Sequence, residues 1–125
     1  MKKGAQLILE ERERQVSKER WTPTDDDEYK DGQLALAAIC YAADSHGDVG
    51  ARLAANVDGL WPWADEWWKP TTAIRGYVKA AALLAAEIDR LQRIEAMKMP
   101  DDGTRKSALA DLSYEPAESC LFELG

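Results

Sequence analysis

Two cysteines, one histidine and one phenylalanine are all that the 125 residues contain of those types, and each scarcity closes off a kind of chemistry. Cys40 lies inside an apolar helical pattern and Cys120 far along the chain, with no CxxC pair and no histidine at ligand spacing. Neither a disulfide framework nor a zinc site is expected. His46 stands in a Ser-His-Gly-Asp turn, and no Ser-His-Asp or Cys-His pattern in the sequence points to imidazole acid-base chemistry. No GxxxxGK or GxGxxG segment is present to cradle a phosphate, and no apolar run approaches membrane-spanning length. The Met1 to Leu9 stretch begins like a signal peptide but turns to Glu10-Glu11-Arg12 too early to act as one. No segment alternates long enough to read as a strand, and no repeat is visible. The expectation is a cytoplasmic protein with no metal, no cofactor and no membrane contact.

The net charge of −7 arises mainly in the middle and the end of the chain. That balance argues against direct nucleic-acid binding, which needs clustered lysine and arginine to displace counterions. It suits solubility, or a host protein with a basic surface as partner; a homodimer is also compatible with it.

Helical periodicity organises the rest. Residues 4–19 place Ala5, Ile8, Leu9, Arg12 and Val16 on one face, with glutamates and arginines elsewhere. Pro23 ends that helix. Asp31 reads as the N-cap of a helix over 32–44 with Leu34, Ala37, Ala38 and Tyr41 facing inward, and a shorter helix is expected over 48–57. The strongest pattern follows Pro70-Thr71, where Ile74, Val78, Ala81, Ala85, Ile88 and Leu91 define the face of a central helix, with Asp89–Arg93 and Glu87–Arg90 pairs outside. Thr104 starts a short helix to Leu112. The expected fold is all-α: a small single-domain bundle of three main helices plus short ones over residues 1–112. A tail over 113–125 would dock through Leu121, Phe122 and Leu124.

Aromatic side chains are concentrated rather than abundant. Trp61-Pro62-Trp63-Ala64-Asp65-Glu66-Trp67-Trp68-Lys69-Pro70 holds four of the five tryptophans, and each large aromatic carries roughly 150–250 Å² that folding normally removes from water. This connecting loop must therefore pack on something, either as core or as the wall of a binding site. Trp21, Trp61, Trp63, Trp67 and Trp68, with Lys69, Arg75 and Lys79 as a basic rim, form the candidate site for an anionic, base-containing ligand or a partner. The other reading of these cations is that they answer the acidic run Asp25-Asp26-Asp27-Glu28, an acidic surface that would favour a helix N-terminus.

Carboxylates are the only group numerous enough for enzyme chemistry. All-α nucleotide pyrophosphohydrolases of the MazG-like class hold Mg²⁺ between an EExxE helix and an ExxD helix, because magnesium needs several hard oxygens converging. Glu10, Glu11, Glu28 and Asp31 are the nearest approach to that set, but Glu10-Glu11 lacks the third glutamate.

Glu11-Arg12-Glu13-Arg14-Gln15, Trp21-Thr22-Pro23 with Asp25-Asp26, Asp31 to Ala38, the WPW and WWKP pieces, and Lys79 to Leu83 with Ala86 to Leu91 resemble a family of small bacteriophage and prophage proteins. The resemblance spans roughly residues 8–93. That family usually has glycine where Arg20 stands, histidine at Thr24, and an acidic residue near Gly76-Tyr77. A fainter similarity links Arg14 to Leu34 with ryanodine-receptor-repeat domains, helical modules associated with nucleotide-derived ligands. The resemblance implies a phage accessory setting without a settled activity. Together these features lead to the expectation of a non-enzymatic phage or prophage binding protein acting on host physiology or defence. It would act as an anti-CRISPR-like inhibitor or through a nucleotide-like ligand; the alternative is the metal-dependent pyrophosphohydrolase.

Overall fold

Alanine sets the packing of this chain, because side chains without bulk let two helices approach closely. A computed structural model describes residues 1–46 and 59–112. The helix expected over 48–57 and the tail over 113–125, with Cys120, lie outside the described residues. Five helices are found among the described residues: α1 (Gly4–Ser17), α2 (Pro23–Asp26), α3 (Gln33–Ser45), α4 (Ala73–Met97) and α5 (Thr104–Leu112), with a 3₁₀ turn at Asp65–Trp67. No strand occurs among them, so the all-α expectation holds. None of these helices is long and apolar enough to cross a membrane.

Helices α3 and α4 form the central pair, and α1 packs along another side of α4. The core is Leu34, Ala37, Ala38 and Tyr41 of α3 against Ala80, Leu83 and Ala86 of α4. The inward face expected for α3 is therefore the observed one. Its start differs by one residue from the expected cap, since Gly32 at φ 83° is the N-cap and Asp31 lies outside. A left-handed residue at that position favours glycine.

The expected face of α4 is not the one that packs. Val78 is buried, but Ile74, Ile88 and Leu91 are exposed, and the packed surface runs through Gly76, Val78, Ala80, Ala82, Leu83, Ala86 and Arg90. Small residues made this ambiguous: alanine fits several faces, and close contact with α3 selects the smallest one. A methyl group built on Gly76 would lie 1.7 Å from Ser45 Oγ, 3.1 Å from Ser45 Cβ and 3.3 Å from the Tyr41 carbonyl oxygen.

Helix α1 also departs from its expected face. Glu11, Arg12 and Gln15 are its buried residues, while Ile8 and Val16 are half-buried and Leu9 is exposed. A helix whose inner side is polar is held by ion pairs rather than by apolar burial. Arg12 Nη2 donates to Asp26 at 2.8 Å, and Arg93 of α4 reaches Asp27 at 2.7 Å rather than forming the expected pair with Asp89. Glu87 and Arg90 do pair, at 2.6 Å, but Arg90 is buried rather than outside.

One short helix escaped the sequence reading. Thr22 caps α2 reciprocally with Asp25 and Pro23 occupies the first turn, the Thr-Pro-x-Asp pattern of a capping box.

Candidate functional site

The ring cluster begins with Trp61, which has three aromatic neighbours. Its centroid lies 5.7 Å from Tyr41, 5.4 Å from Trp63 and 4.9 Å from Trp68, all near edge-on. Trp63 continues the cluster to Tyr29 at 5.2 Å and Trp21 at 6.4 Å. Edge-to-face pairs of this kind contribute about 0.5–1.5 kcal/mol each beyond area burial, which fixes a loop that has only one short turn of its own. Trp61 Nε1 donates to the Ala64 carbonyl at 3.1 Å. Lys69 is tied at both its backbone groups: its N–H donates to the Tyr41 hydroxyl at 3.3 Å and its carbonyl accepts from Lys79 Nζ at 2.8 Å.

Together the loop, α1, α3 and α4 enclose a cavity of about 390 Å³. Small-molecule sites occupy roughly 300–1,000 Å³. Aromatic walls come from Trp21, Tyr29, Tyr41, Trp61, Trp63 and Trp67; the polar wall comes from Glu11, Arg14, Gln15, Glu19, Asp26, Lys69 and Lys79. The tryptophans thus both pack on the core and line the cavity. Trp21, Trp61, Trp63 and Trp68 are half-buried against the core, whereas Trp67 is 49% exposed.

Each carboxylate in the wall has an arginine. Glu11, 2% exposed, receives both Arg14 at 2.8 Å and Arg75. Burial pushes its carboxyl up, but the bonds and charges of Arg14 and Arg75 outweigh that and hold it below the usual range. Glu19 pairs with Arg14 at 2.7 Å, and Asp26 with Arg12. Asp26 is raised, because desolvation exceeds the attraction of Arg12. Arg14, bonded first to Glu11 and then to Glu19, is raised above its ordinary value.

The lysines are different. Neither Lys69 nor Lys79 has a carboxylate partner among the described residues; Lys69 Nζ lies 5.6 Å from the Trp67 ring centroid and Lys79 Nζ 5.3 Å from that of Tyr41. Burial pushes Lys79 down. The wall therefore keeps two positive charges beside aromatic faces.

Two polar atoms in the same wall are unpaired. Gln15 Nε2 donates to Glu11 at 3.2 Å, which turns its Oε1 elsewhere, and both Gln15 Oε1 and Trp63 Nε1 are buried with no hydrogen-bond partner among the described residues. An unmade bond of this kind costs about 1–3 kcal/mol, so its presence at a cavity needs a reason.

Of the residues expected at the site, Trp21, Trp61, Trp63, Trp67, Lys69 and Lys79 line the cavity. Trp68 stands behind them, tilted on Tyr41 at 4.7 Å. Arg75 is turned to Glu11 and does not answer the acidic run. Of that run Asp25, Asp27 and Glu28 are exposed, with Asp25 capping α2 and Asp27 paired with Arg93, while Asp26 is buried on Arg12. The sequence reading missed Arg14 and Gln15 as site residues and considered Glu11 only as a metal ligand; the signal was a helix lacking large apolar residues just where it had to pack. Glu10, Glu11, Glu28 and Asp31 do not form a metal cluster, since no three acidic, histidine or cysteine residues among those described are placed to share an ion. No protein-family model, curated protein or solved structure matches this chain.

Proposed function

We propose that this chain is a non-enzymatic binding protein whose tryptophan-walled cavity takes a small anionic ligand with a flat ring, a nucleotide-like compound. The observation that carries the reading is the charge balance of the wall. A cage of indole and phenol rings also suits a quaternary ammonium, but every carboxylate that would attract a cation is matched by an arginine, while Lys69 and Lys79 are not matched. Excess positive charge beside aromatic faces favours an anion with a ring to stack. The resemblance to phage and prophage proteins supports an accessory setting, in which such a ligand would belong to host physiology or defence. Nucleic-acid mimicry by the acidic run has less support, because Asp26 and Asp27 are neutralised within the fold.

Calorimetric titration with the four nucleoside 5′-monophosphates and with choline tests this. A nucleotide should bind and choline should not, and Lys69→Ala/Lys79→Ala should weaken the nucleotide at least tenfold. Choline binding, or indifference to the lysine changes, would overturn the reading.

A further inference from the structure

The cavity has two chemically different ends. At the lysine end, Lys69 is exposed and Lys79 half-buried. At the other end, Gln15 is 1% exposed and its backbone carbonyl accepts from the backbone N–H of Trp21 at 2.9 Å, and the Trp21 ring in turn lies against Trp63. Trp61 stands between, in contact with Trp63 on one side and Tyr41, under Lys79, on the other. Gln15 and Trp63 thus each bring one buried, unpaired atom to the cavity wall, an acceptor and a donor, and the two cations without a carboxylate partner lie at the open end.

We propose that Gln15 and Trp63 read the edge of a nucleobase, and that the ligand is a nucleoside phosphate seated with its base inward and its phosphate toward Lys69 and Lys79. This rests on the anionic, ring-bearing ligand argued above and adds its orientation and the residues that select it. Gln15 Oε1 requires a hydrogen-bond donor and Trp63 Nε1 an acceptor, and a nucleobase edge carries one beside the other. A simple aromatic acid would leave the donor requirement unmet, and a site whose buried polar groups go unpaired rejects such an analogue strongly. Both atoms are sealed from water in the free chain, so ligand access turns the Gln15 amide or tilts the Trp63 ring toward the cavity. The unmade bonds favour that movement.

The test compares the tightest-binding nucleoside monophosphate with its analogue methylated on the base nitrogen that supplies the donor, and with ribose 5-phosphate. Titrations use the full chain as wild type, Trp63→Phe and Gln15→Met, with far-UV spectra to confirm the fold. Wild type should prefer the unmethylated nucleotide about tenfold. Gln15→Met should lose that preference and Trp63→Phe should bind about tenfold more weakly, while ribose 5-phosphate binds all three alike. Equal affinity of wild type for both nucleotides, or an intact preference in Gln15→Met, overturns base reading and leaves the anion site standing. If no nucleotide binds but an aromatic sulfate does, the base assignment fails alone; if no ring-bearing anion binds, both readings fail.

Discussion

Lys79 is the side chain on which the pH dependence of the site turns. Burial lowers its pKa below the ordinary 10.5, so it gives up its charge at a lower pH than a solvated lysine. Anion affinity should therefore fall as pH rises toward that lowered value, and Lys79→Arg, whose guanidinium stays charged, should bind with little change over the same range; titrations from pH 7 to 10 check this. Glu11 has the opposite sense. Its folded pKa is below the ordinary 4.5, so its stabilisation is complete above that pH and is lost as pH falls through the folded value. Glu11→Gln should cost about 3 kcal/mol at pH 7, the scale for breaking a buried pair from one side, and should show a flatter acid limb in melts between pH 3 and 7. The sequence disclosed the rings and lysines of this site through residue type alone. Gln15 stayed hidden, and Glu11 was legible only as a metal ligand, because a polar residue on an amphipathic helix reads as solvent-facing until its partners are in place, Arg14 and Arg75 for Glu11 and Glu11 for Gln15.

Where α1 ends, the chain must turn sharply to bring Trp21 to the cavity, and Arg20 makes that turn at φ 59°. A side chain in the left-handed region costs about 1–2 kcal/mol that glycine avoids. Arg20→Gly should therefore raise stability by about 1 kcal/mol in urea unfolding, and an unchanged midpoint would mean the turn relaxes freely. Gly76 presents the converse case. Alanine there improves helix propensity by about 1 kcal/mol but drives a methyl into Ser45, whose Oγ is bonded to the Tyr41 carbonyl at 2.7 Å. Rotating the hydroxyl away breaks that bond and still leaves tight contacts to Ser45 Cβ and the Tyr41 oxygen. Gly76→Ala should cost about 1–2 kcal/mol net, and Ser45→Ala in the same chain should recover part of it. The extents of α3 and α4 were legible from periodicity, although Gly32 rather than Asp31 caps α3; the buried face of α4 was not, because its alanines permitted more than one choice and only the approach of α3 decided between them.

The molecule as a whole is held by its aromatic loop as much as by its helices. Helices α1 and α3 both pack along α4, and the cavity bounded by all three is walled by the tryptophans. Removing that wall should not leave an intact bundle with an empty cleft. The unfolding of the rings and of the helices should be one event, and tryptophan emission makes this observable, since Trp21, Trp61, Trp63 and Trp68 belong to a single cluster. Thermal melts followed by tryptophan fluorescence and by far-UV circular dichroism should superimpose. A nucleotide at a hundred times its dissociation constant stabilises by about 2.7 kcal/mol, which for a chain of this length should move both curves together by on the order of 10 °C. A fluorescence transition that precedes the loss of helix would instead make the loop a separately melting unit, and a ligand would then move the fluorescence curve alone. Coincident curves with a common shift require that the cavity be built by the same cooperative packing that folds α1, α3 and α4, so that filling the site and stabilising the fold are one act.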